Sequence, residues 1–274
     1  MNLLLRIVAV VAGVLAALVA LAFIGLQVRP RPFAPYPDTT PDLPTAPVRQ
    51  DLPAPVARFF QLALGDQAPL IESTVLTGRG SIRLNGLRFP ARYRFAHIAG
   101  QGYKHYMEAT VWGFPLFKVN EFYLDGHARM ELPVGVIENS PKTDLAANLA
   151  LWGESTALPA LYVTDPRVKW EPIDETHANL IIPAGEETDS FIATFNAETG
   201  MLQSLEAKRW KSPEAPAKLG WRIDLSGWRS YGGMLVPTGW ALTWEDETGP
   251  WFTGTVEEVL YNVDVDEYIR ARGA

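Results

Sequence analysis

The hydrophobic and polar residues of the chain follow two periodicities. Residues 56–64, VARFFQLAL, carry apolar side chains at helical spacing ahead of Gly65, which predicts a short amphipathic helix. Further along, apolar and polar residues mostly alternate in runs bounded by Gly, Pro or Asp-Gly, a pattern typical of strands. After a first hairpin, strands are predicted near residues 102–112, 115–124, 126–134, 167–173, 177–183, 189–197, 201–210, 219–230, 234–246 and 251–263. Consecutive strands joined by tight turns predict a mainly β domain, a curved antiparallel sheet or half-barrel covered by one or two helices.

The first hairpin contains the stretch GSIRLNGLRFPARYRF, residues 80–95, and its turn is predicted at Asn85-Gly86, since both residues tolerate the positive φ of a type I′ turn. Residues whose numbers sum to 171 then oppose each other, so one side of the hairpin is apolar. The other side gathers the arginines Arg79, Arg83, Arg88, Arg92 and Arg94. Opposed like charges destabilise a sheet, so these arginines need water, acidic neighbours or an anionic ligand. The sequence leaves open a solvated face or a patch for anionic lipid head groups.

The longest helix of the domain is predicted within residues 138–154, ENSPKTDLAANLALWGE. Pro141 suits its first turn and Gly153 its end. An apolar stripe is expected to join Leu145, Leu149 and Trp152. We expect this helix to cover the concave side of the sheet.

The N-terminal region is predicted to be a membrane anchor. Residues 7–26, IVAVVAGVLAALVALAFIGL, carry no charge, and a helix of this length spans about 30 Å, the thickness of a bilayer core. The alternative is a signal peptide cleaved after Ala20-Leu21-Ala22. We predict an anchor over 1–28, a proline-rich linker over 29–55 that lifts the domain off the membrane or runs along its surface, and a half-barrel domain over 56–274. The expected location is the bacterial inner membrane, with the domain on the exported, periplasmic side.

Composition narrows the classes of partner. Residues 32–274 carry 21 basic and 31 acidic side chains, a formal balance of −10, so nucleic acid is a poor partner. The chain has no cysteine, which removes disulfides, thiolate metal sites and cysteine nucleophiles. Its nine tryptophans fill a large core or line an apolar cavity. The predicted lining residues are Trp112, Phe114, Phe117, Trp152 and Glu154.

No catalytic motif is present in the sequence, and no cofactor is predicted. His97 and His105 would share a face if the loop between their strands has three residues, but no third ligand is evident and no metal site is predicted. Glu154 and Glu171 lie beside tryptophans, where burial would raise a carboxyl pKa and favour a general acid. A carboxylate-dependent hydrolase that uses Glu154 and a second acid therefore stays as one alternative.

Three segments resemble an uncharacterised bacterial family, a domain of unknown function whose members often carry an N-terminal membrane segment. They are residues 148–183, NLALWGESTALPALYVTDPRVKWEPIDETHANLIIP, residues 195–210, FNAETGMLQSLEAKRW, and residues 250–265, PWFTGTVEEVLYNVDV. A weaker resemblance links TFNAETGMLQSLEA and YGGMLVPTGWALTWED to the lipoprotein carriers LolA and LolB. It rests on turn residues, namely Asn196, Thr199, Gly200, Gly233 and Pro237. The resemblance implies an open half-barrel and transfers no function, because LolA-type carriers are soluble and LolB-type receptors are anchored through a lipidated cysteine.

The sequence thus predicts an anchored envelope protein that binds a lipid or other apolar ligand on the concave face without catalysis. A protein-interaction module of the cell envelope is the first alternative, and the hydrolase is the second.

Overall fold

The computed structural model describes residues 3–274. The helices are α1 (Leu3–Gly25), α2 (Ala54–Ala63), α3 (Pro141–Glu154), α4 (Leu161–Thr164) and α5 (Asp266–Arg270). The strands are β1 (Thr45–Pro47), β2 (Gln67–Pro69), β3 (Ser73–Leu84), β4 (Leu87–Ile98), β5 (Gly102–Val111), β6 (Phe114–Leu124), β7 (His127–Leu132), β8 (Gly135–Glu138), β9 (Lys169–Pro172), β10 (His177–Ala184), β11 (Glu187–Phe195), β12 (Leu202–Arg209), β13 (Leu219–Ser226), β14 (Arg229–Tyr231), β15 (Met234–Val236), β16 (Gly239–Trp244) and β17 (Phe252–Tyr261).

Thirteen strands form one curved antiparallel sheet in the order β8-β7-β6-β5-β4-β3-β17-β16-β13-β12-β11-β10-β9. The last strand, β17, pairs with the first long strand, β3, and so joins two meanders into one surface. Within the part of the chain that the structure describes, β8 and β9 each pair on one side only, so the sheet is open. The predicted mainly β, half-barrel class is confirmed.

The first hairpin has the predicted register. All partners in β3 and β4 sum to 171, with Leu76 opposite Phe95 and Arg79 opposite Arg92. Asn85 and Gly86 have φ values of 48° and 81°, which only turn-compatible residues adopt readily. The apolar side of the hairpin faces the core, and the arginine side faces outward.

One predicted strand is interrupted. Residues 234–246 were expected to be continuous, but β15 ends at Val236 and β16 begins at Gly239. Pro237 has no backbone N–H and cannot donate to a central ladder, so the chain breaks there. The inward alternation survives, because Met234, Trp240 and Trp244 are all buried.

Helix α3 crosses the concave face and packs on strands from both meanders. Its C-terminal half is buried on nearly all sides. A Cβ on Gly153 would lie 2.5 Å from the Ile223 side chain, so a larger residue would require Ile223 to shift where the helix approaches β13. The predicted stripe is wrong at one position: Leu149 and Trp152 are buried, whereas Leu145 is 38% exposed.

Helix α1 stands apart from this core. Residues Leu5–Gly25 have a mean hydropathy of 3.0 and are long and apolar enough to cross a membrane as an anchor, or to serve as a signal sequence. Its C-terminal end meets the turn between β5 and β6, where the Trp112 N–H donates to the Gly25 carbonyl oxygen at 2.8 Å.

The proline-rich segment after α1 runs along the outer face of the sheet. Backbone carbonyls of Pro30, Arg31 and Ala34 accept hydrogen bonds from Arg79, Arg92 and Arg94, respectively. The Phe33 ring lies 4.3 Å from the Arg92 guanidinium carbon and 5.6 Å from that of Arg94. Of the two arrangements considered for this segment, the described chain therefore adopts the one along the domain surface.

We expect Arg94→Gln to free this segment. The change removes a charge-assisted hydrogen bond and cation–π contacts, together worth about 2 kcal/mol, so chymotrypsin should cut after Phe33 at least about tenfold faster. Mass spectrometry of the fragments measures that rate. Arg222→Gln, at an exposed arginine on β13, is the control and should leave the rate unchanged. Equal cleavage rates in the two variants would show that Arg94 does not hold the proline-rich segment on the sheet.

Candidate functional site

A small internal cavity lies between α3 and the inner face of the sheet. Its volume is about 70 Å³. The lining residues are Phe95, His105, Met107, Val119, Glu121, Ala150, Glu154, Arg209, Trp221, Trp240, Leu242, Trp251 and Phe252. Larger concavities, of about 440 and 620 Å³, lie on the outer surface and are lined mostly by exposed or half-buried residues. The internal cavity is therefore lined by both polar side chains and tryptophans in the interior of the domain.

His97 and His105 lie on the same inner face. Ile98 pairs with Gly102, so the loop between β4 and β5 has three residues and the two histidines are diagonal neighbours. Both side chains are buried, His97 fully. Tyr103 stacks on the His105 ring at 3.8 Å between centroids, and Phe95 packs against its other side at 4.1 Å. These contacts fix the orientation of the His105 imidazole.

Glu154, the last residue of α3, brings a carboxylate to the two histidines. Its Oε2 lies 2.7 Å from His105 Nε2 and 3.4 Å from His97 Nε2. Potential ligand atoms of the three residues all lie within 4.8 Å of one another, a spacing that suits one metal ion. The third potential ligand that the sequence analysis did not find is therefore Glu154, a residue it had placed in the ligand-lining set.

The three converging atoms have no well-directed hydrogen bonds. His97 Nε2, His105 Nε2 and Glu154 Oε2 are all buried, and none has a hydrogen-bond partner of good geometry. At 2.7 Å the distance is short enough for a bond, so the angle at the ring nitrogen is what departs. Buried polar atoms in such an arrangement are rare because each costs about 1–3 kcal/mol.

Burial and the neighbouring groups shift the pKa values in this cluster in opposite directions. Burial alone would raise the pKa of Glu154, but the charge of His105 and contacts from both histidines lower it to about 2. Burial lowers the pKa of His97 despite the neighbouring carboxylate. At neutral pH the site therefore holds an ionised carboxylate beside a neutral His97 imidazole.

A second carboxylate lies beside the cluster. Glu121 on β6 is directly opposite His105, and its Oε1 accepts a hydrogen bond from the Tyr103 hydroxyl at 2.5 Å. Burial and the Glu121 charge raise the pKa of Tyr103, which keeps its hydroxyl protonated as the donor. The sequence analysis missed both residues.

Arg209 separates the cavity from an open cleft. Its Nε donates to the Ala146 carbonyl oxygen at 2.8 Å, and its guanidinium lies over the Trp221 ring at 4.5 Å. The cleft has a volume of about 370 Å³ and shares Glu121, Arg209 and Trp251 with the cavity. Its other residues are Arg83, Met130, Leu132, Ile137, Lys142, Thr143, Ala146, Ala147, Trp210, Lys211, Ser212, Pro213, Trp244 and Glu247.

Two cations in the cleft lack an ion pair. Over residues 3–274, no carboxylate oxygen lies within 4.0 Å of the nitrogens of Arg209 or Lys142, whereas Lys211 pairs with Asp246 and Glu247. Lys142 Nζ donates to the Ala215 carbonyl oxygen and lies 4.6 Å from the Trp210 ring. The cleft therefore combines tryptophan surfaces with positive charge that no acidic side chain neutralises directly.

The residues predicted to line a ligand site occupy different places. Trp152 is buried in the core, and Phe117 packs against Phe89 on the inner face. Trp112 and Phe114 lie at the β5–β6 turn beside α1, where they are 44% and 75% exposed. Of the predicted set, only Glu154 lines the cavity.

The five predicted head-group arginines are engaged within the protein. Arg79 pairs with Glu257, Arg83 with Glu247 and Arg92 with Glu108. Arg88 donates to the Ser81 hydroxyl, and Arg94 to the Thr77 hydroxyl and to the linker. An anionic head group would have to displace the linker to reach Arg79, Arg92 or Arg94.

Comparison with protein families gives one match. The model of DUF6544, described as a family of unknown function, matches residues 43–256. The predicted resemblance to a family of unknown function is thereby confirmed. No match was found among curated proteins.

The chain is similar to several solved structures. A LolA superfamily protein from Nitrosomonas europaea is 10% identical, with 80% of this chain and 96% of that chain covered and a TM-score of 0.47. A putative outer membrane lipoprotein-sorting protein domain from Vibrio parahaemolyticus is 11% identical, with 78% and 92% covered and a TM-score of 0.41. A DUF1329 family protein from Desulfovibrio piger is 13% identical, with 73% and 90% covered and a TM-score of 0.43. The predicted LolA-like resemblance is thus confirmed, and no ligand or activity is transferred from these proteins.

We expect Glu154→Gln to lower the free energy of unfolding by about 3 kcal/mol at pH 7, because it removes the ionised carboxylate that faces both buried imidazoles. The pKa of Glu154 in the folded protein, about 2, lies below the 4.5 that is usual for a glutamate carboxyl group. Its stabilising contribution is therefore present above pH 4.5 and is lost as the pH falls towards 2, and the variant should lack this part of the acid dependence.

Urea unfolding of the full chain in detergent with a chelator, followed by tryptophan fluorescence, measures both effects. Glu206→Gln, at an exposed carboxylate paired with Arg222, is the control and should change little. A Glu154→Gln variant with wild-type stability at pH 7 and a wild-type loss of stability between pH 4.5 and 2 would contradict the assigned role of this carboxylate.

Proposed function

We propose that this protein, which belongs to the DUF6544 family of unknown function, is a membrane-anchored envelope protein that binds an amphiphile beneath α3. The bound molecule has an apolar body and an anionic end, as a fatty acid does. The body lies in the cleft, and the anionic end lies at Arg209. Binding requires no catalytic step.

The observation that carries the proposal is the setting of Arg209. Among the described residues this guanidinium has no direct counter-ion, and it lies against two neighbouring tryptophan rings, 4.5 Å from Trp221 and 5.5 Å from Trp244, where the cleft meets the cavity. Burial lowers the pKa of this guanidinium even though the charges of Glu121 and Glu154 act to raise it, which means that its charge is poorly solvated. A carboxylate or phosphate from a ligand would make bidentate bonds there and restore the lost solvation.

The size and lining of the cleft support an apolar body. A volume of about 370 Å³ falls within the usual range for small-molecule sites, whereas the cavity of about 70 Å³ admits only small groups or water. Met130, Leu132 and Ile137 of β7 and β8 face tryptophans across the cleft. Burial of an alkyl chain there contributes about 0.8 kcal/mol for each methylene group before ordering costs.

The contact between α1 and the domain supports the anchor. The turn that bonds to the end of α1 exposes Trp112, Phe114 and Leu116 next to the point where an anchor helix leaves the bilayer. Aromatic side chains are enriched at that depth of a membrane. The domain would then rest on the membrane surface, within reach of amphiphiles that partition into lipid.

Photo-crosslinking tests the ligand. In lipid nanodiscs, the full chain should be labelled by diazirine-tagged palmitic acid on cleft peptides within residues 130–147, 209–213 and 244–251, and excess palmitate should compete. Arg209→Gln should reduce cleft labelling about tenfold, because a charge-assisted hydrogen bond contributes about 1.5–3 kcal/mol.

Three controls make this result interpretable. Lys142→Gln should also weaken labelling, whereas Arg222→Gln should not. Labelling of α1 by probe dissolved in the membrane serves as the internal reference. Labelling confined to α1 and the β5–β6 turn in the wild-type protein would overturn the proposed site.

A fusion at the C-terminus tests the location. Alkaline phosphatase placed after Ala274 should be active in a bacterial host, whereas green fluorescent protein at the same point should stay dark when exported through the general secretory route. The intact mass of the membrane-extracted protein should retain α1. A fluorescent fusion, or a mass that lacks α1, would refute the exported or the anchored part of the proposal, respectively.

A further inference from the structure

The cluster of His97, His105 and Glu154 brings together three potential ligand atoms, whereas an ion pair requires only two aligned groups. A buried imidazolium–carboxylate pair is stabilised when the N–H points at the oxygen. Here His105 Nε2 and Glu154 Oε2 are 2.7 Å apart without that alignment, and His97 Nε2 also lacks a hydrogen bond. Three potential ligand atoms thus lie within 4.8 Å of one another, and none has a well-directed hydrogen-bond partner.

We propose that His97 Nε2, His105 Nε2 and the Glu154 carboxylate bind one divalent transition-metal ion, with Zn²⁺ the best fit. A metal ion between these three orphaned atoms satisfies all of them together. In a tetrahedral site with bonds of about 2.0–2.1 Å, neighbouring ligand atoms lie about 3.3 Å apart. The two separations from Glu154 Oε2, 2.7 Å and 3.4 Å, lie on either side of that value.

The donor set selects the class of metal. Two imidazoles and one carboxylate suit Zn²⁺ and its first-row neighbours, whereas Ca²⁺ and Mg²⁺ prefer an all-oxygen shell. The chain contains no cysteine, so thiolate-dependent sites such as iron–sulfur clusters are excluded. Two histidines and one glutamate also form a ligand set that leaves a position open for water or another group.

The surroundings provide for that open position. His105 and Glu154 both line the cavity of about 70 Å³, which has room for water. Glu121, opposite His105 on the neighbouring strand, lines the same cavity and lies within reach of a group bound there. Two contacts hold the ligands in place: Tyr103 stacks on His105, and Gly153, next to Glu154, packs against β13. The ligands therefore lie on strands and a helix rather than on loops.

Metal analysis of the full chain tests the proposal. The protein is purified in lipid nanodiscs through a tag without histidine, stripped with a chelator and then reloaded with Zn²⁺ or Co²⁺. We expect about one ion per chain by mass spectrometry of the metal content, a higher melting temperature on reloading, and the visible ligand-field absorption of low-coordinate Co²⁺.

Variants locate the ion. His105→Gln and Glu154→Gln should each lower the affinity for Zn²⁺ at least about tenfold and remove the Co²⁺ spectrum. His127→Gln and His177→Gln, at two histidines that are exposed or half-exposed, should change neither. If a buried variant fails to fold, the wild-type stoichiometry, melting shift and Co²⁺ spectrum still decide the question.

Two outcomes would overturn the site. One is a wild-type chain that retains no stoichiometric metal, gives no Co²⁺ spectrum and melts at the same temperature with chelator and with Zn²⁺. The other is metal binding that the His127 and His177 variants remove. Neither outcome bears on the amphiphile proposal, because Arg209 and Lys142 are not metal ligands.

Discussion

The fold depends on the burial of α3 against the inner face of the sheet. The helix contributes small residues where it approaches β13, and Gly153 allows the closest contact. It must then end within the core, and its last residue is Glu154, whose carboxylate cannot reach bulk water. An ionised carboxylate in an apolar interior requires opposite charge or a cation, and the two histidines on β4 and β5 stand at that point. The polar centre of the domain thus follows from where the helix stops.

The two faces of the β3–β4 hairpin require partners of opposite charge. On the inner face a single buried carboxylate needs positive partners. On the outer face a row of arginines needs negative ones, and the acidic side chains of Glu108 and Glu257 supply part of them. Backbone carbonyls of the proline-rich linker supply the rest, since proline has no N–H and leaves its neighbours' carbonyls free of regular secondary structure. An acidic protein therefore gathers arginines on one ribbon in order to hold its own N-terminal segment, and the domain stays close to α1.

Much of the fold could be predicted because its signals are local. Asn85-Gly86 specifies a turn, the turn specifies the register, and the register separates the apolar from the cationic face. The β5–β6 turn gives no such signal, since it is formed by Trp112 and Gly113, and tryptophan rarely adopts the φ of 57° that it has there. A register shift between Ala109 and Thr110 then reverses which side chains face inward. Pattern reading could not place Glu121 on the inner face after these two irregularities.

The candidate site was harder to predict because its members come from distant parts of the chain. His97 and His105 could be paired from a three-residue loop, but the third atom depends on where α3 docks, which is a packing outcome with no local signature. Trp112 and Phe114 were misleading for a related reason: a run of apolar residues indicates burial, and at the end of an apolar helix a membrane can provide it.

The position of Arg209 connects the polar centre to the outside. The guanidinium is large, and it lies against two tryptophan rings where the cleft of about 370 Å³ meets the cavity of about 70 Å³. An alkyl chain is too large for the cavity, so the polar cluster can meet only the small end of a bound molecule or water. Under the proposed function, the apolar part of the ligand is held among side chains that open to the surface, and its charged end is turned towards Arg209. A half-barrel filled only with apolar side chains would not distinguish the charged end of such a molecule from its apolar end. This is the physical reason for placing the proposed function at the end of α3.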